Sequence, residues 1–113
     1  MKFFTKTVDD KDYIFKLGQN AKENHLIIDS SEPDDWWFHL DNYPSGHCII
    51  ESNEVDRELI LYAATLVAEH SKYRNNKKLK IIYTQIKNIK KTKTCGEVKI
   101  LSEKGVNSIL VKK

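Results

Sequence analysis

Arginine is nearly absent from this sequence, with 2 residues against 17 lysines. Its planar fork is the usual means of reading guanine edges, so recognition built on that contact is disfavoured from the start. Cysteine is equally scarce. Cys48 and Cys95 lie far apart and in no Cys-x-x-Cys pattern, which excludes a disulfide framework and suggests reduced thiols in a cytosolic protein. No apolar run approaches the roughly 20 residues that a membrane span requires. The apolar part of the opening MKFFTKTVDD is too short for a secretory signal. A cytoplasmic protein that stays where it is made is therefore expected. Proline (2) and glycine (4) are too few for a low-complexity linker, and no internal repeat occurs.

What the chain does have is a strongly divided charge. Residues 1–71 carry 6 basic and 14 acidic side chains, a net −8, whereas residues 72–113 carry 13 and 2, a net +11. The overall +3 conceals this split. An AT-rich genome inflates lysine everywhere, but it does not crowd lysines into one half, so the basic half is where a polyanion would bind. Two groups stand out: Lys72, Arg74, Lys77 and Lys78, then Lys87, Lys90, Lys91 and Lys93. Part of the first group also suits the negative end of a preceding helix dipole. A solvated lysine loop would account for the second.

Periodicity supplies the elements. At 113 residues with 40% apolar and 31% charged content, one globular domain over 1–113 is expected. Residues 2–8 and 13–17 alternate as strands around Asp9-Asp10-Lys11. Asn20 with Glu23 forms a capping-box pattern opening a short helix to about Ile28. Residues 36–41 and 47–51 are rich in β-formers and flank the turn Asn42–Gly46. Between Glu54 and His70 the period switches to a helical one, with Val55, Leu59, Tyr62, Ala63, Leu66 and Val67 on one face. A strand over 79–84, a basic connection over 85–94 and a closing hairpin of 97–101 with 108–111 complete the chain. The fold class is α+β: a mostly antiparallel sheet packed with one long and one short helix.

The stretch DDWWFHLDNYPSGHCII poses the functional question. Pairing residue 38 with 48 and 36 with 50 gathers Trp36, Phe38, Leu40, Cys48 and Ile50 on one core face. The same register brings His39 and His47 together beside Trp37. Four readings follow. The imidazoles fix the turn; or they join Asp41 or a cysteine as metal ligands, although no zinc spacing is present; or they act as acid and base beside Ser45, although no nucleophile elbow surrounds it. In the fourth, Trp37 and the histidines form an exposed stacking and hydrogen-bonding platform for looped RNA, with the lysines holding its backbone.

The sequence resembles the NFACT-R domain of ribosome quality-control factors and fibronectin-binding-type bacterial proteins. The resemblance is carried by Gly18-Gln19-Asn20-Ala21-Lys22-Glu23-Asn24, by Asp35-Trp36-Trp37-Phe38-His39 and by Pro44-Ser45-Gly46-His47-Cys48-Ile49-Ile50. Ala63-Ala64, His70-Ser71-Lys72, Tyr83-Thr84, Asn88-Ile89-Lys90-Lys91 and Gly96-Glu97-Val98 follow in order. His25 stands where the family usually has an acidic residue, and Cys48 where valine is common. The resemblance implies a non-catalytic RNA-binding module working beside tRNA or ribosomal RNA on the large ribosomal subunit, with no cofactor and no metal. DNA as the polyanion is left open. The resemblance covers the module alone and not the helix-hairpin-helix or coiled coil of the larger members, so recruitment of charged tRNA is not expected to carry over. The expected recognition surface is Asn20, Trp37, His39 and His47. A protein-interaction adaptor and, further off, a hydrolase or RNA-modifying enzyme using the His39/His47 pair are the alternatives.

Overall fold

The computed structural model describes residues 1–112. Strands β1 (Lys2–Val8) and β2 (Lys11–Gly18) form a hairpin with Val8 opposite Lys11. Its two-residue connection holds Asp9 and Asp10 at φ 51° and 65°. Two positive φ angles define the turn whose twist matches paired strands, and short Asp side chains tolerate that conformation. Helix α1 (Ala21–Asp29) is capped by Asn20, whose Oδ1 accepts the Glu23 N–H at 2.9 Å. Glu23 Oε1 reaches back to accept the Gln19 N–H at 3.1 Å. The capping pair is thus present, with its return bond one residue earlier than the usual box.

Strands β3 (Trp36–Leu40) and β4 (His47–Ile50) pair with Trp36 opposite Ile50, Trp37 opposite Ile49 and Phe38 opposite Cys48, the expected register. Helix α2 (Arg57–Glu69) starts at an Asp56 cap that accepts the Leu59 N–H at 2.9 Å. Then come β5 (Lys78–Gln85), β6 (Ile89–Lys91), β7 (Val98–Ile100) and β8 (Asn107–Lys112). The main sheet runs β1-β2-β4-β3-β5-β8 and every pairing in it is antiparallel.

Both faces of the sheet are covered. On one, Phe15, Leu17, Phe38, Leu40, Cys48, Ile50 and Ile81 meet Leu59, Ala63, Ala64 and Val67 of α2. The alanines let the helix lie close. On the other, Trp37 and Ile49 pack with Ile27 of α1 and Ile89 of β6, with Val98 and Ile100 of β7 beside them. The architecture is α+β in three layers.

The closing hairpin expected from sequence does not form. β7 turns back on β6 in a separate two-stranded ribbon, and β8 crosses to the sheet edge beside β5. Burial explains both choices: Val98 and Ile100 pack onto the Trp37 cluster, whereas Ile109 and Val111 pack onto the α2 core. The basic connection over 85–94 therefore contains a strand.

Candidate nucleic-acid interface

The β3–β4 turn, the start of α1 and the tip of the β6–β7 ribbon meet around a cleft of about 820 Å³. Its shape begins with two glycines. A Cβ on Gly46 would stand 2.3 Å from the Gly18 carbonyl oxygen, and one on Gly18 would stand 2.4 Å from Asn24 Oδ1. This close approach lets Asn24 Oδ1 accept the His47 backbone N–H at 3.0 Å, which ties α1 to β4. Gly46→Ala is expected to cost about 1–3 kcal/mol, the usual cost of overpacking, read as a lower urea midpoint with an unchanged slope. Across the cleft, Gly96 adopts φ 84° and its N–H donates to His25 Nε2 at 3.0 Å. His25 thus anchors the ribbon tip over α1.

Trp37, His39 and His47 do come together, but not as an exposed platform. Trp37 and His47 are each only 2% exposed. Strand alternation showed that they share a face; it did not show that α1 and the ribbon cover that face. Trp37 is the floor of the cleft and cannot stack on a base from solvent. His39, half-buried, stacks on it with centroids 5.6 Å apart at 8°. His39 and His47 meet edge to face at 5.0 Å. Asn20 is exposed at the mouth.

The indole fixes the His47 tautomer. Trp37 Nε1 donates to His47 Nδ1 at 3.1 Å. An indole N–H can only donate, so Nδ1 holds a lone pair and the neutral ring carries its proton on Nε2. Burial, then the neighbouring His39 and His25, pull the His47 pKa down to about 3. Burial also lowers that of His39. Both shifts disfavour the charged ring in the folded state, so the unfolded chain binds more protons at acid pH. The stability associated with neutral His47 is fully present above 6.5, its ordinary value, and is lost as pH falls from there toward 3. The expected slope is about 1.4 kcal/mol per pH unit. His47→Gln, which keeps an acceptor for the indole, should flatten this dependence in urea melts taken from pH 7 to pH 4.

Ser45 Oγ accepts the Leu40 N–H at 3.1 Å and donates to the Gly46 carbonyl at 2.9 Å, so its hydroxyl serves the turn. Cys48 lies on the α2 face and Asp41 pairs with Lys80 at 3.5 Å. Among the described residues no three His, Cys, Asp or Glu side chains are grouped to hold a metal.

The lysines sort by partner. Lys87 pairs with Asp34 at 2.9 Å and Lys91 pairs with Asp29. Lys90 and Lys93 make no ion pair among the described residues, and Lys90 stands directly across the ribbon from Lys99. Sequence reasoning missed Lys99 because it pairs the 97–101 strand with 108–111, away from Lys90. Lys72 lines the cleft with its ammonium over the Tyr73 ring at 5.4 Å. Arg74 and Lys77 are in the loop after α2, and Lys78 starts β5 opposite Lys112. The first basic group therefore divides between the cleft, the loop after α2 and the start of β5.

A family model described as the NFACT protein RNA binding domain matches residues 1–102. The chain belongs to this family. A Bacillus subtilis relative, the Rqc2 homolog RqcH, is 34% identical over 76 residues, which cover 66% of this chain and 13% of that protein. Coiled-coil domain-containing protein 25 of Mus musculus is 27% identical over an alignment covering 98% of this chain and 58% of the mouse protein. The chain thus spans from about an eighth to just over half the length of these curated relatives. Among solved structures, the C-terminal part of the fibronectin/fibrinogen-binding protein from Streptococcus suis superposes with a TM-score of 0.83 at 22% identity, covering 96% of this chain and 44% of that one. That likeness speaks to fold. In this NFACT RNA-binding domain, β8 lies beyond the family match yet completes the main sheet.

Proposed function

We propose that this chain is one non-catalytic domain that binds structured RNA, tRNA or ribosomal RNA, in ribosome quality control. The observation that carries this reading is the family match taken with the ribbon. Lys90, Lys93 and Lys99 stand on or beside an exposed two-stranded ribbon whose tip walls the cleft. Lysine ammonium groups attract phosphate without reading sequence, so the ribbon supplies affinity. The cleft, with Asn20 and His39 at its mouth, supplies selectivity. The Rqc2 homolog among the relatives supports the assignment to ribosome quality control; a place beside tRNA on the large ribosomal subunit is part of the proposal. The protein works in the cytoplasm and needs no cofactor.

The test is binding of purified protein to total tRNA, ribosomal RNA fragments and duplex DNA across a salt series. Binding that prefers an RNA and weakens linearly in log–log form with salt is expected. Absent RNA binding, together with a protein partner retained after nuclease treatment, would overturn the reading in favour of an adaptor.

A further inference from the structure

Two side chains buried in the cleft carry hydrogen-bond donors that the protein does not use. His47 spends Nδ1 on Trp37, and its Nε2–H has no partner among the described residues. Asn24, 5% exposed, spends Oδ1 on the His47 N–H, and its amide NH₂ is likewise unpartnered. No described side-chain nitrogen or oxygen that is sealed from solvent lacks a partner. Both donors therefore open onto the cleft that these residues line. These two groups, on side chains that are otherwise buried, are the donors the cleft offers to an occupant.

The rest of the cleft narrows the acceptor's identity. Above the buried Trp37 floor its walls include Ile82, Val98 and Ile100, apolar surfaces suited to the edge and face of a flat ring. About 820 Å³ is far more than a phosphate needs and lies within the range of small-molecule sites. The two buried donors are neutral, which suits a carbonyl oxygen better than a phosphate charge. The N-terminal end of α1 and Lys72 stand at the border, where a phosphate of the same nucleotide would be welcome.

We infer that the cleft takes one unpaired nucleotide, with a carbonyl-bearing base inserted toward His47 Nε2–H and the Asn24 amide. This deepens the RNA-binding reading and rests on it. Uracil, guanine and cytosine carry such a carbonyl, whose two lone pairs can take both donors at once. Each adenine ring nitrogen has one lone pair and takes only one of them, so adenine binds with one hydrogen bond fewer and is the disfavoured base.

The protein carries its own reporter. Cys95 is exposed on the cleft wall, and Cys48, the other thiol, is fully buried with its pKa pushed up by burial. Maleimide alkylation of Cys95 in the wild-type protein is followed with single-stranded penta-uridylate, penta-adenylate or an abasic pentamer of equal backbone charge. Penta-uridylate is expected to slow alkylation at concentrations at least about tenfold lower than the other two, as loss of one hydrogen bond predicts. Trp37 fluorescence in Trp36→Phe should change at the same concentrations. Equal protection by all three would show backbone contact alone and overturn the inference. Absent protection would overturn it as well. A parallel salt series with tRNA separates the two levels. Salt-sensitive tRNA binding without penta-uridylate protection removes the base site and leaves the RNA-binding reading intact. Loss of both removes the reading itself.

Discussion

The double charge reversal Lys90→Glu/Lys99→Glu is expected to weaken RNA binding by at least about tenfold at moderate salt and to lower the log–log salt slope by about 0.7–0.9 for each phosphate no longer neutralised. The two residues face each other across the ribbon, and neither is neutralised by an ion pair among the described residues. Reversal therefore replaces two positive charges with two negative ones at the same place. Lys87→Glu is the internal comparison. Lys87 already answers Asp34, so its reversal should affect binding less. Both lysines of the double variant are exposed, and folding stability should stay within about 0.5 kcal/mol of the parent. Fluorescence anisotropy with tRNA over a salt series, paired with urea melts, separates the two effects.

Trp37→Ala should produce the largest loss of stability, about 3–5 kcal/mol. That is a large share of the roughly 5–15 kcal/mol typical of a whole domain. The indole fills the space between the sheet, Ile27 of α1 and Ile89 of the ribbon. Its removal leaves a cavity that three elements would have to close together, and it strands His47 Nδ1 without its donor. Trp36→Phe should cost far less, about 1 kcal/mol. Trp36 is only half-buried, and its indole N–H donates to the Asn53 carbonyl near the surface. Urea midpoints of the two variants give the comparison. Similar small losses would place Trp37 in solvent and contradict the third layer.

The two tryptophans also show how far the sequence can be read. Alternation and the requirement for one apolar face set the β3–β4 register and place the two histidines side by side. Helical spacing finds α2, and a capping pattern finds α1. What covers a face is not written in that face's own period. The third layer is assembled from a nine-residue helix and two strands of three residues. β6 is too short to show a pattern and the 97–101 strand is assigned another partner, so alternation alone leaves Trp37 exposed and passes over Lys99. The signal lies in Ile27, Ile49 and Ile89, isoleucines spread over three elements and apolar for no reason unless they meet. The expected closing hairpin fails for the same cause. Adjacency in sequence favours pairing of β7 with β8, whereas burial of Val98 and Ile100 draws β7 back to β6. Strand partners are decided by burial, which is a property of the assembled layers.

The central claim is that RNA lies on the ribbon and across the cleft. Backbone amide chemical shifts of the isotopically labelled domain, recorded during titration with tRNA, test it most directly. The perturbed amides are expected to cluster at residues 20–25, 39–47 and 90–99, while the outer face of α2 around Glu58, Leu61 and Glu69 stays unchanged. Perturbations concentrated on that outer face or along β1, with the ribbon silent, would contradict it.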